Sequence, residues 1–490
     1  MSYSSKDIKA AVIMSRFGLG AKSDGFSPIA TDPLGALEAE IDASYMPRPQ
    51  GELLAPTPEL LRLLFAYQED RKLIREQTKQ ASPAPIMTAP DNMAKDMSGG
   101  DMAPKTPPKT QNQAVKDLNP VRDIELAEVN ARFCGTYQSP AIGFNERLVM
   151  FWTNHFAIAV NKGEADRIIA GAYEREAIRP HVFGRFYDML LAVETHPAML
   201  LYLDNAQSIG PHSRSNRFNK RGLNENLARE IMELHTLGVG SGYSQTDVTN
   251  FAKVITGWTI KRNNQPNIDG VTGGFVFNAN THELGSQTIL GHNYYDTGFD
   301  QGKTVLKNLA ASPATAQHLS YKLARHFISD TPPLELVARM KQAYLDTDGD
   351  LSALYRILIH HEAAVMPQQQ KMRTPTEFLA AILRVSEAKP KPNQIIGALK
   401  AMGQPLWEPG GPNGFEDSVA AWSSPEGLST RMEFTNQMAN QLQNRIDARS
   451  LIEAALGPIL SQDSRNAVAH AQSGAEALTI AFLTPEFMRR

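Results

Sequence analysis

Residues 224–238 read NENLAREIMELHTLG and gather three Glu, two Asn, one Arg and one His into a segment whose apolar residues keep helical spacing. At about 100° per residue, Leu223, Leu227, Ile231 and Leu234 fall on one stripe, with Asn226, Arg229, Glu230 and Glu233 on the other. Carboxylates a helical turn apart can hold a divalent cation, orient a water or pass a proton. In that reading Glu230 and Glu233 are the catalytic or metal-binding pair, Asn226 binds substrate, and Arg229 grips an anionic group or holds Glu225 in place. His235 lies roughly 160° from Glu233 on the wheel, so it joins them only if the helix ends there, as the GVGSG loop at 238–242 allows. The competing reading is a solvated face stitched by i,i+4 pairs such as Glu225–Arg229.

Other polar residues sit in apolar surroundings. In FWTNHF (151–156), His155 follows Phe151 by four residues and Leu148 by seven, so its ring points into the same apolar region. It is either a core histidine satisfied by a carbonyl or a metal ligand beside Glu230 and Glu233. Asn154 needs hydrogen-bond partners if buried and is a candidate substrate-binding residue. His181 and His196 each abut a proline at a helix junction, where capping competes with substrate binding. Trp258 follows the helix stop at Gly257, as a loop anchor or a pocket wall.

Three tempting motifs fail. Gly302-Lys303-Thr304 lacks the first glycine of a phosphate loop, Thr297 standing in its place. Asp346, Asp348 and Asp350 begin like a calcium loop, but Leu351 and Ile357 occupy the positions that need Gly and Glu. His360-His361-Glu362 lacks the i,i+4 spacing of a zinc-binding helix.

The elements that must position these groups are mostly helices. Ser312-Pro313 and Thr374-Pro375 place a capping hydroxyl before a first-turn proline, and Glu377 completes a capping box. Ser244 and Asp247 form another start, and Asp350 caps a helix through Leu354 and Leu358. Strand signals are few: Phe275–Phe277 and Thr288–Leu290 could form one small hairpin. The expected fold is therefore mostly α, a large multi-helix body with at most one small β-hairpin. Its long irregular loops at 205–222, 261–274 and 403–427 are long enough to be lids or site walls. Residues 71–117 are rich in Pro and Met and read as a disordered insertion, separating an N-terminal helical segment (1–70) from the main helical domain (118–490).

Bulk properties narrow the classes. With 49 Lys+Arg against 52 Asp+Glu and no basic run, nucleic acid is not an expected partner. The single cysteine, Cys134, excludes an intramolecular disulfide framework and a cysteine-based zinc site. No stretch approaches the roughly 18 apolar residues of a membrane span, and the apolar run near residue 11 is too short for a signal peptide. The expectation is a soluble cytoplasmic protein, with export alongside a partner left open.

The strings RFGLG (16–20), FWTNHF (151–156), IRPH (178–181), HPAMLLYLDN (196–205), NENLAREIMELHTLGV (224–239), TGWT (256–259) and LTPEFMRR (483–490) together resemble the bacterial domain of unknown function 1800 family. The match spans nearly the whole chain outside the Pro-rich stretch. The resemblance implies a gene neighbourhood with a sulfatase-like partner family. It also implies a His-x-His pair in relatives where this chain has Thr153 and His155. Two functions follow as expectations: an enzyme whose carboxylate, Asn and His pocket uses a divalent metal or an acid/base pair, or a non-enzymatic scaffold for the sulfatase-like partner.

Overall fold

Local capping fixes where the helices begin. Thr374 accepts from the Glu377 N–H while the Glu377 carboxylate accepts from the Thr374 N–H, and Ser244 and Asp247 make the same reciprocal pair. Ser312 and Asp350 each cap a helix through the side chain. The protein is described here by a computed structural model covering residues 3–43, 46–81, 119–217, 222–263, 265 and 268–490.

The helices are α1 (Ser5–Arg16), α2 (Pro33–Asp42), α3 (Thr57–Ala81), α4 (Pro120–Asn130), α5 (Phe144–His155), α6 (Glu164–Tyr173), α7 (Phe186–Glu194), α8 (Pro197–Tyr202), α9 (Asn226–Glu230) and α10 (Gln245–Val254). Beyond a strand region come α11 (Phe299–Ala310), α12 (Pro313–Phe327), α13 (Leu334–Asp346) and α14 (Leu351–His360). The chain closes with α15 (Pro375–Ser386), α16 (Pro392–Ala401), α17 (Val419–Trp422), α18 (Pro425–Leu442), α19 (Ala448–Leu456), α20 (Gln462–Ala469), α21 (Gly474–Leu483) and α22 (Pro485–Met488). The fold is mostly α, as the sequence indicates. Among the described residues no helix is long and apolar enough to cross a membrane.

Strand pairing differs from the single expected hairpin. Residues of Phe275–Phe277 pair antiparallel with Trp258–Ile260, whereas Gln287–Ile289 pairs with His292–Tyr294. The second pair closes on Leu290 and Gly291, both at positive φ, the backbone of a two-residue hairpin turn. That turn takes Ile289 back to His292 before the strand can reach Phe275. The last helix of the N-terminal segment, α3, continues through residues 71–81 of the expected insertion, and the rest of that insertion up to residue 117 lies outside the described residues.

Apolar side chains fall into two cores. The larger draws on α1 to α14, from Ala10 to Ala364, and takes in Trp407. The smaller gathers α15, α16 and α18 to α22 with Leu19, Val129, Phe133 and Tyr137. Buried arginines tie the two together through backbone carbonyls. Arg384 on α15 donates to the carbonyls of Gly20 (2.9 Å), Tyr137 (2.7 Å), Pro140 (3.1 Å) and Ala141 (2.9 Å).

Three helices end in a π turn: α4 into Ala131–Gly135, α6 into Glu174–Ile178 and α9 into Ile231–His235. In the first and third a threonine hydroxyl follows and donates five residues back, Thr136 to Ala131 (2.9 Å) and Thr236 to Ile231 (2.6 Å). A π turn widens the helix and turns the next side chains off the α-helical phase, which is why such turns recur at functional sites.

Candidate functional site

The acidic stripe of α9 satisfies itself at the surface. Arg229 reaches Glu225 at 3.1 Å and Glu233 at 3.7 Å, and also donates to the Gln245 side chain at 2.9 Å. Arg229, Glu230 and Glu233 are half-buried and Asn226 is exposed. Burial raises the Glu230 pKa, the Glu233 charge adds to the rise, and His235 and Arg229 oppose it. These residues do not converge with His155 on a metal set. Among the described residues no group of three His, Cys, Asp or Glu side chains is placed to hold a metal ion.

His235 leaves the stripe altogether. The π turn carries it into the core, where Nδ1 lies 2.8 Å from Glu194 Oε1 and both side chains are buried. Burial raises the Glu194 pKa, with His235 pulling it back. The backbone carbonyl of His235 is then free to receive His155 Nε2 at 3.1 Å. Only a protonated nitrogen can engage a carbonyl, so His155 Nδ1 is an acceptor. It accepts from Lys322 Nζ at 2.9 Å. Both ring nitrogens of His155 are engaged within the protein, away from Glu230 and Glu233.

Lys322 and His155 face a cavity of about 150 Å³ between the two cores. Met150, Phe151, Ile158, Leu406 and Trp407 supply much of its apolar wall. Burial lowers the Lys322 pKa to about 8, with Asp417 opposing and Arg325 adding to the fall. His155 is held well below its ordinary pKa by burial first and then by the Lys322 charge.

Ion networks flank the cavity on either side, and in the first, three arginines face three carboxylates. On one side Arg132, Arg175 and Arg179 face Glu128, Glu146 and Glu174, with Arg132 to Glu174 at 3.0 Å and Arg179 to Glu146 at 2.6 Å. Arg132 also lies over the Trp407 ring, 4.9 Å from its centroid. On the other side Glu377 sits between Arg147 and Arg490, 2.8 Å from each, and Asp417 bridges His326 (2.9 Å) and Lys371 (3.0 Å). Burial pushes the Glu377 pKa up, but Arg147 and Arg490 outweigh it and hold the carboxyl at about 2. His326 is neutral, its pKa lowered to about 4 by burial against the pull of Asp417. Arg325 pairs with the exposed Glu416 at 3.0 Å. Among the described residues Lys322 is therefore the one lysine or arginine lining the cavity with no carboxylate within 4.0 Å.

The remaining expected residues take structural places. Asn154 lines the cavity, but its amide is spent on the backbone of Phe415, donating at 2.9 Å and accepting at 2.7 Å. It clamps the 403–418 loop, and Gly414 is required there because a Cβ would meet the Asn154 carbonyl at 2.3 Å. His196 caps α8 through Nδ1, and its Nε2 lies 3.0 Å from Glu176. His181 ends a short turn after α6, its pKa lowered by burial, away from the cavity. Trp258 is fully buried against Phe275 and Phe299, an anchor and not a wall.

Sequence reasoning missed Lys322, His326, Glu377, Asp417 and Trp407. One signal was present: His318, Lys322 and His326 recur every four residues along α12, beside the apolar stripe of Ala316, Leu319 and Leu323. The 403–427 loop was marked as a candidate wall, and residues 404–407, 409 and 415–417 of it line the cavity.

No curated protein and no solved structure matches the chain. A family model does, over residues 13–489, so the chain belongs to the family described as protein of unknown function (DUF1800).

Proposed function

We propose that the cavity between the two cores is an enzyme active site for small molecules, in which the amine of Lys322 is the reacting group. The observation that carries this is the pairing of Lys322 Nζ with the acceptor nitrogen of His155 at 2.9 Å on the cavity wall, with no carboxylate among the described residues within 4.0 Å of the amine. A lysine so placed loses its proton near neutral pH and becomes a base or a nucleophile. Glu194 acts one step removed: by gripping His235 it orients the carbonyl that fixes the His155 tautomer.

Competitive labelling with trace acetic anhydride across pH, read peptide by peptide, tests the reading. Lys322 should acetylate with a midpoint near pH 8, as its lowered pKa requires, while exposed lysines need a pH above 10. A Lys322 that titrates with the exposed lysines, or never reacts, would remove the proposal.

A further inference from the structure

Resting on that site, we propose that its substrates are carbonyl compounds of about benzene size, with an apolar body, which form an imine with Lys322 while Thr153 holds the carbonyl oxygen. Three observations converge. An apolar cavity of about 150 Å³ is the size that admits a benzene-like molecule. Its reactive end presents an amine that has a neutral acceptor and no carboxylate partner. Thr153, on α5 with His155, also lines the cavity, and its hydroxyl is buried and makes no hydrogen bond, although a helical threonine can usually donate back to its own helix.

A hydroxyl buried without a partner suits an incoming acceptor oxygen. Each carboxylate lining the cavity already has a cationic partner, Glu174 and Glu377 in buried arginines, Glu416 in Arg325 and Asp417 in Lys371, so none is left to favour a cationic ligand. In the proposed step the Lys322 nitrogen lone pair forms a bond to the carbonyl carbon. The C=O pair moves to oxygen, which Thr153 holds as it takes up a proton released by the nitrogen. The nitrogen lone pair then forms the C=N bond as the C–O bond breaks, and the departing oxygen takes the second nitrogen proton and leaves as water, so one amine and one carbonyl give one imine and one water.

The experiment incubates the full chain with benzaldehyde and sodium cyanoborohydride, whose hydride reduces the imine, and maps the benzylated lysines by mass spectrometry. Lys322 should be labelled at least tenfold faster than any other lysine, toluene should suppress that labelling alone, and Thr153→Val should slow it roughly fivefold, the worth of one hydrogen bond. Glyoxylate, small and anionic, should label Lys322 no faster than the surface lysines. Labelling of Lys322 at the surface rate, or faster labelling by glyoxylate than by benzaldehyde, overturns the substrate class. Toluene protection needs no variant, so the result does not hang on Thr153→Val folding. If acetic anhydride still finds Lys322 titrating near pH 8, the active-site reading stands while the carbonyl class falls; if it does not, both fall.

Discussion

The stripes of α9 and α12 carry polar groups at the same helical spacing and end in opposite environments. On α9, Glu225, Arg229 and Glu233 are one turn apart and opposite in sign, so each finds its counter-charge on its own helix and water completes the rest. On α12, His318, Lys322 and His326 recur every four residues, and each finds its partner across the fold and not on its own helix. His318 reaches the Leu234 carbonyl at 3.2 Å, Lys322 reaches His155, and His326 reaches Asp417. Opposite charges repeating at i,i+4 can thus answer one another along one helix, whereas the polar groups beside the apolar stripe of α12 are answered by distant residues.

That contrast can be broken at several points. The largest effect is expected at Glu377: Glu377→Gln leaves Arg147 and Arg490 without their shared carboxylate in a buried setting. It should cost about 3–5 kcal/mol in urea unfolding.

Acid should act next. The pKa of His318 and of His326 is lowered by burial to about 4 in the folded chain, against about 6.5 when unfolded. The unfolded chain therefore binds more protons between those values, and stability present above pH 6.5 is lost as pH falls towards 4. The loss should approach about 3 kcal/mol per ring. Glu377, held at about 2, contributes its loss only below the ordinary carboxylate range, from roughly pH 4 down. An unfolding midpoint flat from pH 7 to 4.5 would contradict the buried, neutral state of both rings.

Lys322→Met should run the other way. Its ammonium is desolvated without a carboxylate, and the drop from 10.5 to about 8 corresponds to about 3 kcal/mol against the charged form. Removing it should raise stability by about 1–3 kcal/mol at pH 7 while abolishing the reactive amine, the exchange expected where a residue is kept for activity. The smallest effects belong to α9: Glu233→Gln should change stability by under about 0.5 kcal/mol, because its partner Arg229 is a third exposed and retains Glu225.

The helix starts at Ser244, Ser312, Asp350 and Thr374 were legible because a cap is decided within four residues of chain. So was the inward direction of His155, which follows from its phase against Phe151 and Leu148. His235 was not, because the π turn at 231–235 changes that phase, and no local rule marks where a helix will widen. Glu377 was legible only as a capping carboxylate; that the same two oxygens also bind Arg147 and Arg490 depends on residues 230 and 113 positions away.

The sequence by itself determined that this is a helical protein, where many helices begin and which faces they bury, since periodicity and capping are properties of neighbouring residues. Tertiary structure decided which polar groups meet: it left the acidic stripe of α9 at the surface and set Lys322 against His155 inside. The reason is that a charge's environment is fixed by whatever packs over it, and the wall over Lys322 comes from α5 and the 403–418 loop, far away along the chain.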